Sequence, residues 1–232
     1  EGLNSFVGFN VDGDVLTVDG STGNVMLGEI PLIPGEVTPE LEQLLEWADD
    51  IRRLETWANA DTPVEAELAR SYGAQGIGLC RTEHMFREGD RLPIVQDMIL
   101  AETEEERRKS LTRLLPIQRD DFYGILKAMH DLPVVIRLLD PPLHEFLAGV
   151  ENELADLEAR DANAEDLALA QRKVTRANEL HEANPMLGLR GCRLGLIYPE
   201  IYEMQVRAII EAALQLKAEG VRARPEIMIP LV

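Results

Sequence analysis

The sequence has few cysteines, few aromatic residues and no long apolar run. Two cysteines in 232 residues are too few for a disulfide scaffold or a thiolate metal cage. No apolar run approaches the roughly 18 residues that span a bilayer, and no signal-peptide pattern opens the sequence. We therefore expect a reduced, cytoplasmic protein that has no membrane partner.

Positive charge is also scarce. Acidic residues outnumber basic residues by 42 to 23, which gives a formal net charge of −19. Nucleic acids and anionic membranes require a basic surface, so the sequence disfavours both as partners. A small anionic substrate remains compatible with this composition, because a few arginines can form a local positive pocket.

The first 53 residues differ in pattern from the rest. Residues 14–20 and 24–30 resemble two short strands around Ser-Thr-Gly, which predicts a hairpin. Two prolines and a glycine in residues 33–40 indicate a linker. Apolar residues at helical spacing then predict a helix that ends near residue 53.

From residue 54 onward, apolar strands alternate with helices. A strand is followed by a capping box at Thr62 and Glu65, with Pro63 at the first helical position, and then by a second strand. Later helices include a charged stretch at 150–182 and a long helix that stops at Gly220. The apolar residues expected on one face of this long helix are Val206, Ile209, Ile210, Ala213 and Leu214. The four predicted strands begin near residues 54, 76, 133 and 225.

This alternation predicts a parallel α/β sheet, either doubly wound or of the (β/α)₈ TIM-barrel type. A complete barrel takes about 250 residues, and 179 of the 232 residues follow residue 53. We therefore expect the first half of a barrel. Its last strand, with Ile227, Met228, Ile229 and Leu231, should expose an apolar edge through which the chain self-associates.

Two arginines follow neighbouring strands. Arg81 comes just after the second strand, and Arg137 lies near the end of the third. The carboxyl ends of parallel strands form the ligand-binding rim of α/β folds, where paired guanidinium groups suit a phosphate or carboxylate. The alternative is that each arginine pairs with a nearby acid such as Glu83 or Asp140, and the pattern alone does not decide.

A third segment, residues 184–195, places Arg190 and Arg193 beside two glycines, which let backbone approach a ligand closely. Alone this is a weak signal, because arginines near glycine turns are common on surfaces.

The cysteines and histidines give weaker indications. Cys80 and Cys192 are expected to be small packing residues rather than nucleophiles. His84 stands beside Arg81 and could contact a substrate, whereas His144 is expected to pack or to form a hydrogen bond. The sequence contains neither an HExxH zinc motif nor a glycine-lysine phosphate loop.

Five segments in order resemble the pyruvate phosphate dikinase family. They are ANADTP, GAQGIGLCRTEHMF, IRLLDPPLHEF, NPMLGLRGCRLG and PEIMIPLV. The resemblance implies a phosphoenolpyruvate (PEP)/pyruvate-binding barrel, and residues 12–30 resemble the end of that family's swivelling phosphohistidine domain. The implied domains are a swivelling-domain tail at 1–36, a linker helix at 37–53 and the first half of the barrel at 54–232.

The resemblance also implies a function. The family interconverts ATP, phosphate and pyruvate with AMP, diphosphate and PEP through a phosphohistidine carrier. By resemblance, Arg81 and Arg137 hold the phosphoryl group, and Arg190 contributes to the same anionic pocket. Leu189 departs from the family's pattern, in which a histidine is expected.

Other parts of such an enzyme are expected elsewhere. By resemblance, the Mg²⁺-binding carboxylates and the catalytic cysteine follow residue 232, so we expect no metal ligand within this chain and no activity from it alone. The implied partners are pyruvate or PEP, the phosphohistidine domain and a second copy in a homo-oligomer. Alternatives are a PEP synthase or enzyme I-like transferase, and a non-catalytic acidic interaction module.

Overall fold

The computed structural model describes residues 15–31, 38–87, 90–182, 184 and 186–232, and the chain consists of two compact units, 1–53 and 54–232. In the first unit, β1 (Leu16–Asp19) and β2 (Asn24–Leu27) form the predicted antiparallel hairpin. Helix α1 (Pro39–Ile51) begins where the Thr38 side chain accepts a hydrogen bond from the Leu41 amide. Most of the predicted linker, and residues 1–14, lie outside the described residues.

The second unit contains a four-stranded parallel sheet whose strand order follows the chain. This confirms the predicted α/β class and the four strand positions. The first strand is much shorter than the sequence pattern predicted. The strands are β3 (Ala58–Asn59), β4 (Ile77–Arg81), β5 (Pro133–Arg137) and β6 (Arg224–Met228).

Helices cover and connect these strands. Both hydrogen bonds of the predicted Thr62–Glu65 capping box form at the first of them. Three short helices at Thr82–Met85, Arg91–Leu100 and Gly191–Ile197, and a 3₁₀ turn at Leu143–Leu147, were not predicted. The helices are α2 (Pro63–Ser71), α3 (Thr82–Met85), α4 (Arg91–Leu100), α5 (Glu104–Ala128), α6 (Val150–Ala159), α7 (Ala164–Leu180), α8 (Gly191–Ile197) and α9 (Pro199–Ala218).

The core of the second unit lies between the sheet and helices α5 and α9. Ile77, Val134 and Ile136 from the strands pack in one cluster with Phe122 of α5 and Ile209 of α9. These side chains are fully buried, and each such burial contributes roughly 1.5–3 kcal/mol. The packing fixes where the carboxyl ends of β4 and β5 lie.

The buried face of α9 differs from the predicted one. The sequence pattern placed Ile210 and Leu214 in the core together with Ile209, but they are 45% and 58% exposed. Consecutive apolar residues at 208–210 allow more than one stripe, and the buried stripe runs through Ala208 and Ala212. Small side chains are therefore used where α9 approaches the sheet.

Strand β6 is exposed at four of its five residues. Within the described residues it pairs with β5 alone and forms one edge of the sheet. Ile227, Met228, Ile229 and Leu231 are 37–50% exposed, which agrees with the expected apolar edge. Self-association through this edge stays a prediction. None of the helices in the described part of the chain is both long and apolar enough to cross a membrane.

Candidate functional site

The fold brings together the three arginines that the sequence singled out. Arg81 and Arg137 are Cα partners on the parallel strands β4 and β5, at the carboxyl ends of both. Arg190 lies at the start of α8, and the backbone amide of the next residue, Gly191, bonds to the carbonyl of Asp140 at 3.0 Å. The carboxyl ends of β4 and β5 and the loop before α8 therefore meet at one place.

The three arginines and the three acids that contact them form a group that we call the arginine cluster. Its formal side-chain charges balance, because each acid offsets one arginine. Its members are Arg81, Arg137, Arg190, Asp61, Glu83 and Asp140.

Asp61 fixes the position of Arg81. Its carboxylate accepts from the Arg81 amide at 2.6 Å, from Nε at 2.9 Å and from Nη2 at 2.6 Å. Burial acts to raise the pKa of Asp61, but the bonds from Arg81 and the charges of Arg81 and His84 outweigh it, so this pKa lies below its ordinary value. Bonding to Asp61 raises the pKa of Arg81 in return. The pair is therefore ionised at neutral pH.

His84 also contacts Asp61, with Nδ1 2.8 Å from Oδ2. In the sequence a nearby charged residue is Arg81, whereas in the structure the acid Asp61 contacts the His84 ring. Its side chain is 47% exposed, so a ligand at the strand ends could reach it.

We expect Asp61→Asn to destabilise the protein by about 1–3 kcal/mol at neutral pH, because hydrogen bonds to a charged group are weakened. The pKa of Asp61 is lower in the folded protein than in the unfolded chain, where it is about 3.9. The carboxylate therefore stabilises the fold at pH values above about 3.9, and this stabilisation is lost as the pH falls through the folded-state pKa. The difference between wild type and variant should therefore shrink below about pH 4. Unfolding in urea at a series of pH values measures it.

The matched control is Asp97→Asn, which removes the charge from an exposed pair with Arg113. Exposed pairs contribute about 0–1 kcal/mol, so little change is expected at any pH. An Asp61 effect that stayed constant from neutral pH to pH 3 would contradict the assignment.

Arg137 is held by two acids at once. It donates from Nη2 to Oε1 of Glu83, and its Nη1 lies 3.2 Å from Oδ2 of Asp140. The same Oδ2 accepts from Arg190 Nη2 at 2.7 Å. Asp140 therefore links two arginines, and the pairing that the sequence offered as an alternative is present for Arg137.

Several buried atoms of the cluster lack partners. Among the described residues, Oε2 of Glu83, Nε of Arg137 and Oδ1 of Asp140 are buried and have no hydrogen-bond partner. Buried polar groups are almost always bonded, and each exception requires an explanation. Catalytic and ligand sites are one setting in which such exceptions occur, so we take the arginine cluster as the candidate ligand site.

Helix α9 supports the loop that carries Asp140. Gln205 accepts from the Leu139 amide at 2.9 Å, and the Tyr202 hydroxyl donates to the Leu139 carbonyl at 2.8 Å. Burial, followed by the charge of Asp140, raises the pKa of Tyr202, so its hydroxyl stays protonated and can donate. Sequence analysis missed both supports, because they lie more than 60 residues from the loop.

Of the two cysteines, Cys80 is a core packing residue, as expected, whereas Cys192 is only partly buried. Cys80 is fully buried in the core, and burial followed by the charges of nearby acids raises the pKa of its thiol. A protonated buried thiol is a poor nucleophile. The Cys192 thiol donates to the Leu231 carbonyl at 2.7 Å.

The remaining predicted positions lie near the α8 loop. Arg193 binds the carbonyls of Leu187 and Gly188, at 3.0 and 3.3 Å, so it stabilises the loop. Leu189 packs against an apolar cluster that includes Phe146. The His144 ring lies 5.6 Å from the His181 ring.

Among the described residues, no three side chains of the histidine, cysteine, aspartate or glutamate type come together as a metal-binding group. The three acids of the arginine cluster contact guanidinium groups, which compete with a cation for the same oxygens.

A second group of arginines lines a cleft of about 490 Å³ elsewhere in the unit. Arg107 is bound by Glu200 at 2.7 Å, Arg176 by Glu179 at 2.9 Å, and Arg172 lies 3.7 Å from Glu102. The cleft is thus a second place where arginines gather, but helices line it and it does not lie at the strand ends.

Comparison with known proteins gives consistent results. Residues 36–232 match the family described as PEP-utilising enzyme, PEP-binding domain. The chain is 53% identical over 221 residues to a pyruvate, phosphate dikinase of Rhizobium meliloti (strain 1021) and 54% over 224 residues to a chloroplastic one of Mesembryanthemum crystallinum. A Giardia intestinalis dikinase is 50% identical over 222 residues. These alignments cover 95% of the chain and 23–24% of each relative, so the chain spans about a quarter of their length.

Proposed function

The chain belongs to the PEP-utilising enzymes, through their PEP-binding domain, and from this premise we propose that it is part of a pyruvate phosphate dikinase. The whole enzyme would interconvert ATP, phosphate and pyruvate with AMP, diphosphate and PEP through a phosphohistidine carrier. One observation carries the proposal: Arg81 and Arg137 are register partners at the carboxyl ends of neighbouring parallel strands.

In this proposal the arginines bind the phosphoryl group during its transfer. Asp61 occupies Nε and Nη2 of Arg81, which leaves Nη1 for a ligand, and this side chain is 37% exposed. Arg137 and Arg190 would supply further guanidinium donors beside Arg81 at the carboxyl ends of the strands. Fixed donors aimed at the equatorial oxygens stabilise the charge that spreads over them in the transition state.

The domain assignment is part of the proposal. Four parallel strands in chain order support the first half of a TIM-type barrel, since a doubly wound sheet reverses its order. The hairpin of residues 16–27 would belong to the end of the swivelling domain, and α1 would be the linker helix. Mg²⁺ would be the cofactor, with its ligands outside this chain. A homo-oligomer and a carrier domain would be the protein partners.

Two alternatives remain. A PEP synthase or enzyme I-like transferase would use the same barrel with another phosphoryl acceptor. The 50–54% identity to dikinases favours the dikinase. A non-catalytic interaction module gives no physical reason for the buried, unpartnered atoms of Glu83, Arg137 and Asp140 in the part of the chain that the structure describes.

The proposal is tested by assaying the full-length protein that contains this chain. It should form ATP from PEP, AMP and diphosphate, and release phosphate and pyruvate. The 232-residue chain alone should show no turnover, because the carrier histidine and the metal ligands are proposed to lie elsewhere. Diphosphate-independent ATP formation from AMP, PEP and phosphate would favour the synthase. A full-length protein that transferred no phosphoryl group from PEP would refute all the enzyme proposals.

A further inference from the structure

We propose that Glu83 is a positioning residue that holds the Arg137 guanidinium in the orientation that binds the transferring phosphoryl group. This inference rests on the proposed function and extends it to a residue that would not touch the substrate.

Glu83 is placed by the end of strand β4. Helix α3 follows Arg81 directly, so Glu83 lies two residues after the end of the strand. It is only 8% exposed, although acidic side chains are usually on the surface. Register pairing of Arg81 with Arg137 places the neighbouring strand end beside it. Burial at this point requires a partner.

The partner is Arg137, 54 residues away along the chain. Glu83 binds Nη2 of Arg137 from one side, and Asp140 approaches Nη1 from the other. A planar guanidinium held at both Nη atoms by two different segments cannot rotate freely. Its Nε is also buried and lacks a partner within the described residues.

The second carboxylate oxygen of Glu83 favours a positioning role over a merely structural one. Oε2 is buried and, in the part of the chain that the structure describes, unbonded. Leaving it so costs free energy that a surface-exposed ion pair would avoid. In addition, a carboxylate this close to a phosphate site repels the anion in the ground state. Both costs are understandable if the benefit is the orientation of Arg137 in the transition state.

This reasoning predicts a particular kinetic pattern for Glu83→Gln in the full-length protein. The amide can still accept a bond from Arg137, but without charge it holds the guanidinium more loosely. kcat of the pyruvate/PEP half-reaction should fall about 10–100-fold, the size typical of a misplaced catalytic group. KM for PEP should stay unchanged or decrease, because one repulsive charge is gone.

Three controls accompany this variant. Glu145→Gln neutralises an exposed acid that contacts Arg87 at 3.3 Å, and it should leave both constants unchanged. Phosphorylation of the carrier by ATP should be normal in Glu83→Gln. In an Arg137→Lys background the glutamine substitution should have little further effect, because the group that Glu83 orients has been removed.

The outcomes separate this inference from the proposed function. Loss of PEP activity in the wild-type protein would refute the function itself. An active wild type with an active Glu83→Gln variant, altered only in Tm, would refute the positioning role. A rise in KM with kcat unchanged would also refute it. If the glutamine variant fails to fold, Glu83→Asp, which keeps the charge with a shorter reach, should lower kcat without raising KM.

Discussion

Replacing Arg137 by lysine in the full-length protein is expected to slow the pyruvate/PEP half-reaction by about 10²–10³-fold. Lysine keeps the charge but loses the planar fork that matches both a phosphate and the two acids at this position. Glu83 and Asp140 each bind a different Nη atom of Arg137, and a single ammonium group cannot replace both contacts. The effect is measured by single-turnover kinetics with PEP, in which the phosphorylation of the carrier histidine is the readout.

The carrier reaction with ATP should continue at the wild-type rate, because it does not use this site. Arg113→Lys is the matched control, since Arg113 is an exposed arginine paired with Asp97 at 3.0 Å. Equal losses in both half-reactions would indicate a folding defect. Wild-type rates in Arg137→Lys would show that this arginine does not hold the phosphoryl group.

Replacing Glu200 by alanine is expected to destabilise the protein by about 3–5 kcal/mol, more than the Asp61→Asn substitution, because it leaves the buried charge of Arg107 uncompensated. Glu200 is 3% exposed and accepts from Arg107 Nε at 2.7 Å. Arg107 also stacks over the Tyr198 ring at 4.3 Å, so it cannot swing into water without losing that contact. Tm should fall by roughly 6–20 °C for a unit of this size.

Glu203→Ala is a close control on the same helix. Glu203 pairs with Arg108 at 3.0 Å, but both side chains are about half exposed or more, so its removal should cost at most about 1 kcal/mol. Thermal unfolding of the two variants side by side makes the comparison. Similar Tm values would contradict the buried-pair argument.

The sequence predicted the parts of the fold that depend on local chemistry. The capping box of Thr62 and Glu65 spans only four residues of sequence. The strands near residues 77 and 133 are likewise indicated by short runs of apolar residues. Arg81 and Arg137 were predicted to converge because both follow strands, and parallel strands end on one edge. These features need no knowledge of distant contacts.

Other features depend on distant contacts and could not be derived. Asp61 lies two residues after the end of β3, near the same end of the sheet as Arg81, but only the folded structure shows that the two side chains meet. The pairing of Glu83 with Arg137 rather than with the adjacent Arg81 depends on side-chain direction in three dimensions. The buried stripe of α9 was ambiguous for the same reason, since packing against the sheet selects the small residues.

The most direct test of the account is a crystal structure of the full-length protein with PEP. We expect the phosphoryl oxygens to lie within about 3 Å of guanidinium nitrogens of Arg81 and Arg137, with Glu83 and Asp140 still bound to Arg137. A phosphoryl group found in the cleft of Arg107, Arg172 and Arg176, with the strand-end arginines bonded only to their acids, would contradict it.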